Sequence, residues 1–244
     1  MLSDSDVQQV VNYYKTDSPE RSATVLRRKL PPPATDSSIR AAALRRIPTE
    51  FSTLISTNRE LISAVKTVLN PVLSFYGRTE VYDLVVIDSP VPLMMSDSGV
   101  VLLVSTGMMR RASNDDELLG YVAHEVAHEY FSHYSDYEKH LLYLITTGGN
   151  EPALTLHTRI ALMVIELQCD AFASLSLAYL KYNPLEFIKG IERIAHDYPL
   201  SPIGDHPPIL QRRLIVSEIL PADFLTTTPR QSPAFLRLKR MLDP

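Results

Sequence analysis

Apolar residues recur at three- and four-residue intervals along most of the chain, and they predict a mostly helical protein with a short β segment near its middle. Residues 5–15 and 20–29 read as two short helices. The stretch "KLPPPATDSS", Lys29 to Ser38, then breaks the pattern with three consecutive prolines, which favour an extended, semi-rigid connector. From Ile39 to Tyr76 the periodicity returns, interrupted at Pro48 and Pro71, and predicts helices with one apolar face. "VYDLVVID" (Val81 to Asp88) and "GVVLLVST" (Gly99 to Thr106) are short β-branched and leucine runs bounded by Pro, Asp, Ser and Gly, the signature of two or three strands in a small sheet. Asn114, with Glu117 three residues on, resembles a capping box and starts a helix that is apolar over most of its circumference. Helices are further expected over about 159–182, from Asn183-Pro184 to near Asp197, and over 209–220 as the last regular one, with loops at 146–158 and 198–208. The expected fold class is α+β, mostly helical, with a small sheet.

Length, charge and cysteine content narrow this picture modestly. A chain of 244 residues fits one domain with an extension, and the proline connector divides an N-terminal helical extension, 1–38, from a domain spanning 39–244. A formal charge of −4 offers no basic excess to neutralise phosphates, so no nucleic-acid partner is expected. The single cysteine, Cys169, excludes an intrachain disulfide and suits a reducing compartment; the expectation is cytoplasmic. Neither a signal-peptide pattern nor an uninterrupted apolar run of about 20 residues is visible, so no transmembrane segment is expected. The oligomeric state is not legible.

The stretch "GYVAHEVAHEYFSHY", Gly120 to Tyr134, supplies the chemistry. His124 and His128 stand four residues apart, hence one helical turn apart on one face, where both imidazoles can reach a single ion. Glu125 can then sit beside an ion-bound water without being a ligand, which is the HExxH arrangement of two metal ligands and a general base. A catalytic zinc takes three protein ligands and leaves a fourth position open. The variant with a glycine three residues and a histidine six residues after His128 is excluded, because Phe131 and Tyr134 occupy those places. A carboxylate on a later helix is the alternative, and "IELQCD" offers Glu166 as third ligand. Asp170, one turn on, would accept from a ligating histidine's other ring nitrogen. Apolar flanks all round argue that both carboxylates are buried and need partners.

With "HEVAH", "ELQCD" and "DHPPILQRR" together, the chain resembles the HtpX-like and CAAX-prenyl-protease-like gluzincin zinc metallopeptidases over roughly Val81 to Leu220. "NDDELL", Asn114 to Leu119, matches a further family pattern ahead of the metal helix. The resemblance implies a zincin-like domain, one Zn²⁺ per chain, and a soluble, minimal member of the group. It implies zinc-dependent endopeptidase activity, with His206 stabilising the oxyanion, helped by Tyr179 or Tyr198. Arg212 is expected to anchor the last helix through a carboxylate. It also implies a polypeptide substrate bound extended and antiparallel along an edge strand, expected at Gly99 to Thr106. His133 is read as a structural hydrogen-bonding residue, Cys169 as an inert buried thiol, and His140, His157 and His196 as surface or loop residues. Residues 1–38 either lie across the cleft as an inhibitory segment or pack on the far side. The competing readings are a zinc-stabilised non-catalytic binding or chaperone-like module, and a helical interaction protein without metal. Retention of Glu125 argues for the enzyme, since a purely structural site has no use for a base.

Overall fold

A computed structural model of the chain describes residues 2–32, 36–47, 49–134, 156–197 and 206–243. Helix α1 (Asp4–Tyr14) opens with a Ser3–Asp6 capping box, and α2 (Pro19–Lys29) opens on the proline that its first position favours. Helix α3 (Ser37–Arg45) and the single turn α4 (Thr49–Ser52) lead to α5 (Arg59–Phe75), which runs through Pro71 where an interruption was expected. A mid-helix proline costs about 3 kcal/mol. Val68, Leu69, Val72 and Leu73 around it are all buried, and side chains of that size stabilise by about 1.5–3 kcal/mol each when buried, so packing wins. Pro48 lies outside the described residues.

Strands β1 (Asp83–Ile87), β2 (Met94–Asp97) and β3 (Val101–Ser105) form a sheet in the order β1-β3-β2, with β1 parallel and β2 antiparallel to β3. The strand expected at the edge, Gly99 to Thr106, is therefore the central one, a correction with a plain cause. Leu102 and Val104 face the main core while Val101 and Leu103 face Ala43 of α3, so β3 is covered on both faces and buried throughout. An apolar run without alternation is what two covered faces require. The outer side of β1 is met by residues 54–56, through Ser56 N donating to Val86 O and Asp88 N to Leu54 O, both at 2.8 Å. Strand β2 is the edge beside the rest of the fold. It joins β3 through a turn in which Ser98 and Gly99 have φ of 53° and 64°, the type I′ geometry that suits a hairpin's twist.

Helices α6 (Thr106–Arg111), α7 (Asp115–Tyr134), α8 (Leu156–Tyr179), α9 (Pro184–Asp197), α10 (Ile209–Ile219), α11 (Ala222–Leu225) and α12 (Pro233–Leu242) complete the described chain. The protein is α+β and mostly helical. Helix α8 lies at its centre, packed by α1, α2, α7, α9 and α10. By length and composition its stretch Ile160–Tyr179 would serve as a membrane span, although none was expected; most of that stretch is buried inside the fold, as a core helix would be. Helix α12 lies beyond the helix expected to be last; Ser232 caps it by accepting from Phe235 N, and Phe235, Leu238 and Leu242 anchor it in the core. The buried residues of α1 and α2, including Val10, Val11, Tyr14 and Ala23, belong to the same core cluster as Phe172 and Leu175 of α8. The proline connector thus joins two parts of one core.

Candidate metal centre

The first turn of α7 carries three acids, and each fixes it to a different segment. Asp115 accepts from Ser232 N at 2.6 Å, Asp116 from Asn183 N at 2.7 Å, and Glu117 from Arg193 of α9 as well as from Ser113 N at 2.9 Å and Tyr121 Oη at 3.0 Å. Asn114 caps the helix by accepting from Glu117 N, as its spacing predicted. A Cβ on Gly120 of α7 would stand 2.3 Å from Phe187 of the neighbouring helix, so glycine there lets α9 press closely against α7. Helix α7 is thereby held before its histidines are reached.

One turn further, the expected constellation comes together. Nε2 of His124 and Nε2 of His128 lie 3.2 Å apart, and the carboxylate of Glu166 on α8 places one oxygen 3.3 Å from the first and the other 3.4 Å from the second. His206 adds its Nδ1 at 3.1 Å from Glu166. Behind His124, its Nδ1 meets Asp170 Oδ1 at 3.0 Å, and Arg212 grips that carboxylate through Nε at 2.7 Å and Nη2 at 2.6 Å. Glu166, Cys169 and Asp170 stand at i, i+3 and i+4, so one face of α8 delivers all three. Cys169 is fully buried, with its Sγ 3.7 Å from Nδ1 of His128, the nitrogen turned away from Glu166. Ligand atoms of His124, His128 and Cys169 all lie within 4.8 Å of one another, and this group could hold a metal ion. A histidine brings only one nitrogen to an ion, so the two possible third ligands compete for different nitrogens of His128.

The electrostatics follow the geometry. Burial alone would lower the pKa of His124, but hydrogen bonds with Asp170 and Glu166 outweigh it and raise the imidazole to about 10. Burial pushes Glu166 upward and its two histidine contacts, His124 and His206, pull it further the other way, to well below the ordinary carboxylate range. Asp170 is likewise lowered, because the Arg212 guanidinium outweighs burial.

Glu125 points to another side of the cleft. Its carboxylate accepts from the backbone N of Ser96 on β2 at 2.8 Å, and Ser96 Oγ donates to Glu125 O at 2.9 Å. The cleft itself has a volume of about 240 Å³, with an apolar wall of Met94, Met108, Tyr121, Phe187, Ile191 and Ile194, and His124, Glu125, Glu166 and His206 at its polar end. Among the described residues, none from α1 or α2 lines it.

Of the remaining expectations, Tyr179 is elsewhere, with its ring 4.6 Å from that of Phe75, because its place near the end of α8 turns it toward α5. His196 is exposed beside Asp197. Tyr198, His140 and the side chains of His133 and His157 lie outside the described residues. Two contacts were missed from sequence, those of Ser96 and Cys169. Cys169 was findable, since its spacing from Glu166 and Asp170 puts it on the same face; Ser96 carried no signal. Comparison with protein-family models and with curated proteins gave no match.

Proposed function

We propose that this chain is a zinc-dependent endopeptidase with a gluzincin-like site of the HtpX-like and CAAX-prenyl-protease-like kind, in which His124, His128 and Glu166 hold the ion. The observation that carries the reading is the spacing of the three donors. Ligands bound at about 2.0–2.1 Å to one tetrahedral ion stand about 3.3–3.4 Å apart by simple geometry. The two imidazole nitrogens, 3.2 Å apart, come close to that edge, and Glu166 sets one carboxylate oxygen beside each of them, at 3.3 and 3.4 Å, so the donor set fits zinc. Cys169 serves this set as the neighbour of His128 Nδ1. Such an ion supplies Lewis acidity and a bound water of lowered pKa.

The chain's own residues do the rest. Asp170 fixes His124 with its Nδ1–H toward the carboxylate, leaving Nε2 for the ion, and Arg212 keeps Asp170 ionised and in place. Glu125 takes the proton of the attacking water and returns it to the leaving amine as the peptide bond breaks. His206, which lines the polar end of the cleft beside Glu166, would donate to the developing oxyanion. An extended polypeptide would dock along β2, whose outward backbone groups belong to Met94 and Ser96; the neighbours Leu93 and Asp97 turn theirs toward β3.

The test is Glu125→Gln. Zinc measured by elemental analysis should remain near one equivalent while casein cleavage falls by about 10²–10⁴-fold, the contribution of a general base. Glu166→Ala should lose the metal. Wild-type turnover in the first variant, or full zinc occupancy in the second, would overturn the assignment.

A further inference from the structure

Strand β2 packs on α7, and one of its residues holds the base twice. Ser96 N donates to the Glu125 carboxylate and Ser96 Oγ to the Glu125 carbonyl. The alternation of an antiparallel pair decides where that N–H points. Ser105 N donates to Leu93 O and Val100 N to Asp97 O, so residues 93, 95 and 97 of this strand face β3, and 94 and 96 face outward. The Ser96 N–H is therefore the donor that a polypeptide pairing with this edge needs. It is a single donor, and the carboxylate already has it.

Resting on the endopeptidase reading, we infer that Ser96 is a positioning residue that hands its N–H from Glu125 to the substrate, so that docking on β2 releases the base. In the free protein the charge-assisted bond parks the Glu125 carboxylate against the strand. A substrate carbonyl that pairs with Ser96 N takes the same proton donor, and one hydrogen bond replaces another. The freed carboxylate oxygen then has its lone pair available for the water. Ser96 Oγ holds the Glu125 backbone throughout, so only the side chain moves. A peptide too short to reach Ser96 leaves the base parked. Recognition of the extended backbone and activation of the base become one event, selecting for substrates that can be drawn out as a strand.

The alternative is that Ser96 is a fixed brace for Glu125, and the two predict opposite signs. Ser96→Pro removes the outward N–H at a position where an edge strand tolerates proline. Hand-off predicts that turnover of a blocked dipeptide amide rises by about tenfold or more, the weight of a charge-assisted bond, while KM for an extended casein peptide rises. A brace predicts that kcat falls for both. Ser96→Ala, which keeps the N–H, should keep the wild-type ratio between the two substrates. Zinc content and the melting transition report on folding. A second measurement needs neither proline nor turnover: hydrogen exchange at the Ser96 amide should be slow in the wild type and fast in Glu125→Ala. Adding the casein peptide to Glu125→Ala should slow it again. Exchange that stays fast with peptide bound, or a fall in kcat for both substrates in Ser96→Pro, overturns the hand-off. If the wild type and Glu125→Gln show equal, background cleavage, the endopeptidase reading itself has failed.

Discussion

Two buried ion pairs flank helix α7, one on its own Glu129 and one behind its His124, and they end differently. On one side Arg78 donates to Glu129 through Nε at 3.0 Å and Nη2 at 2.9 Å. On the other Arg212 grips Asp170 through Nε at 2.7 Å and Nη2 at 2.6 Å. The Glu129 pair runs out into its own scaffold: Tyr82 donates to the same carboxylate, and Arg78 Nη2 reaches Pro31 O at 2.6 Å. The Asp170 pair continues through His124 into a cleft, where two imidazole nitrogens and a carboxylate meet within 3.4 Å. Both clusters are buried and polar, so burial alone does not tell construction from chemistry. The difference is a surplus of lone pairs: a network closed on protein atoms holds elements together, whereas one that delivers spare donors of electrons to a cleft is built around a ligand.

The largest effect should come from the closed side. Arg78 ties the connector, through Pro31, to α7, and α1 and α2 bury Val10, Val11, Tyr14 and Ala23 in the common core. Deleting residues 1–38 should therefore abolish the cooperative thermal transition instead of releasing an inhibited enzyme. A truncated chain that melts like the full one would put the N-terminal pair outside the structural half of the comparison.

Breaking each pair singly comes next. Arg78→Met and Arg212→Met each strand a buried carboxylate, at a cost of about 3–5 kcal/mol in denaturant unfolding. Neutralising the partner should recover most of that loss on both sides, because a buried pair is worth little more than well-packed neutral groups. The rescues should then diverge. Arg78→Met with Glu129→Gln should bind zinc as the wild type does, and Arg212→Met with Asp170→Leu should stay 10–100-fold weaker in a competition titration. Equal zinc affinity in the two double variants would erase the distinction drawn between the clusters.

Much of this was legible from residue order, unevenly. His124, Glu125 and His128 are one turn of one helix, and Glu166 and Asp170 one turn of another, so local periodicity alone predicts two faces; only packing of α7 on α8 could bring them together. The edge of the sheet was misassigned because β2, "MMSD", lacks the β-branched residues that mark a strand, while its neighbour β3 has them for being central. Strand β2 is held by tertiary contacts instead: Ser96 by Glu125, and Asp97 by Arg46 Nε at 2.8 Å. Helix α12 did have a signature, Ser232-Pro233 followed by apolar residues at 235, 238 and 242, and went unread. Pro71 shows the reverse case, a strong local breaker overruled by burial.

The subtlest expected effect concerns what holds the open cluster together when no ion does. In the metal-free protein His124 is raised to about 10 by the carboxylates on both its nitrogens, so at pH 8 it carries a proton. Coordination needs a neutral imidazole, and zinc must displace that proton. Calorimetry in two buffers of different ionisation enthalpy should report a proton released from this residue at pH 8, with the number falling as pH passes through about 10. The sign of the stability effect follows. A group whose pKa rises on folding stabilises fully below its unfolded value, near 6.5, and loses that contribution as pH climbs through the folded value. Metal-free protein should thus lose stability between about pH 6.5 and 10. Asp170→Asn, which removes one of the two charges facing His124, should shrink both the proton release and the slope. If the release is unchanged in Asp170→Asn, the proton resides elsewhere, and the carboxylate behind His124 acts on orientation alone.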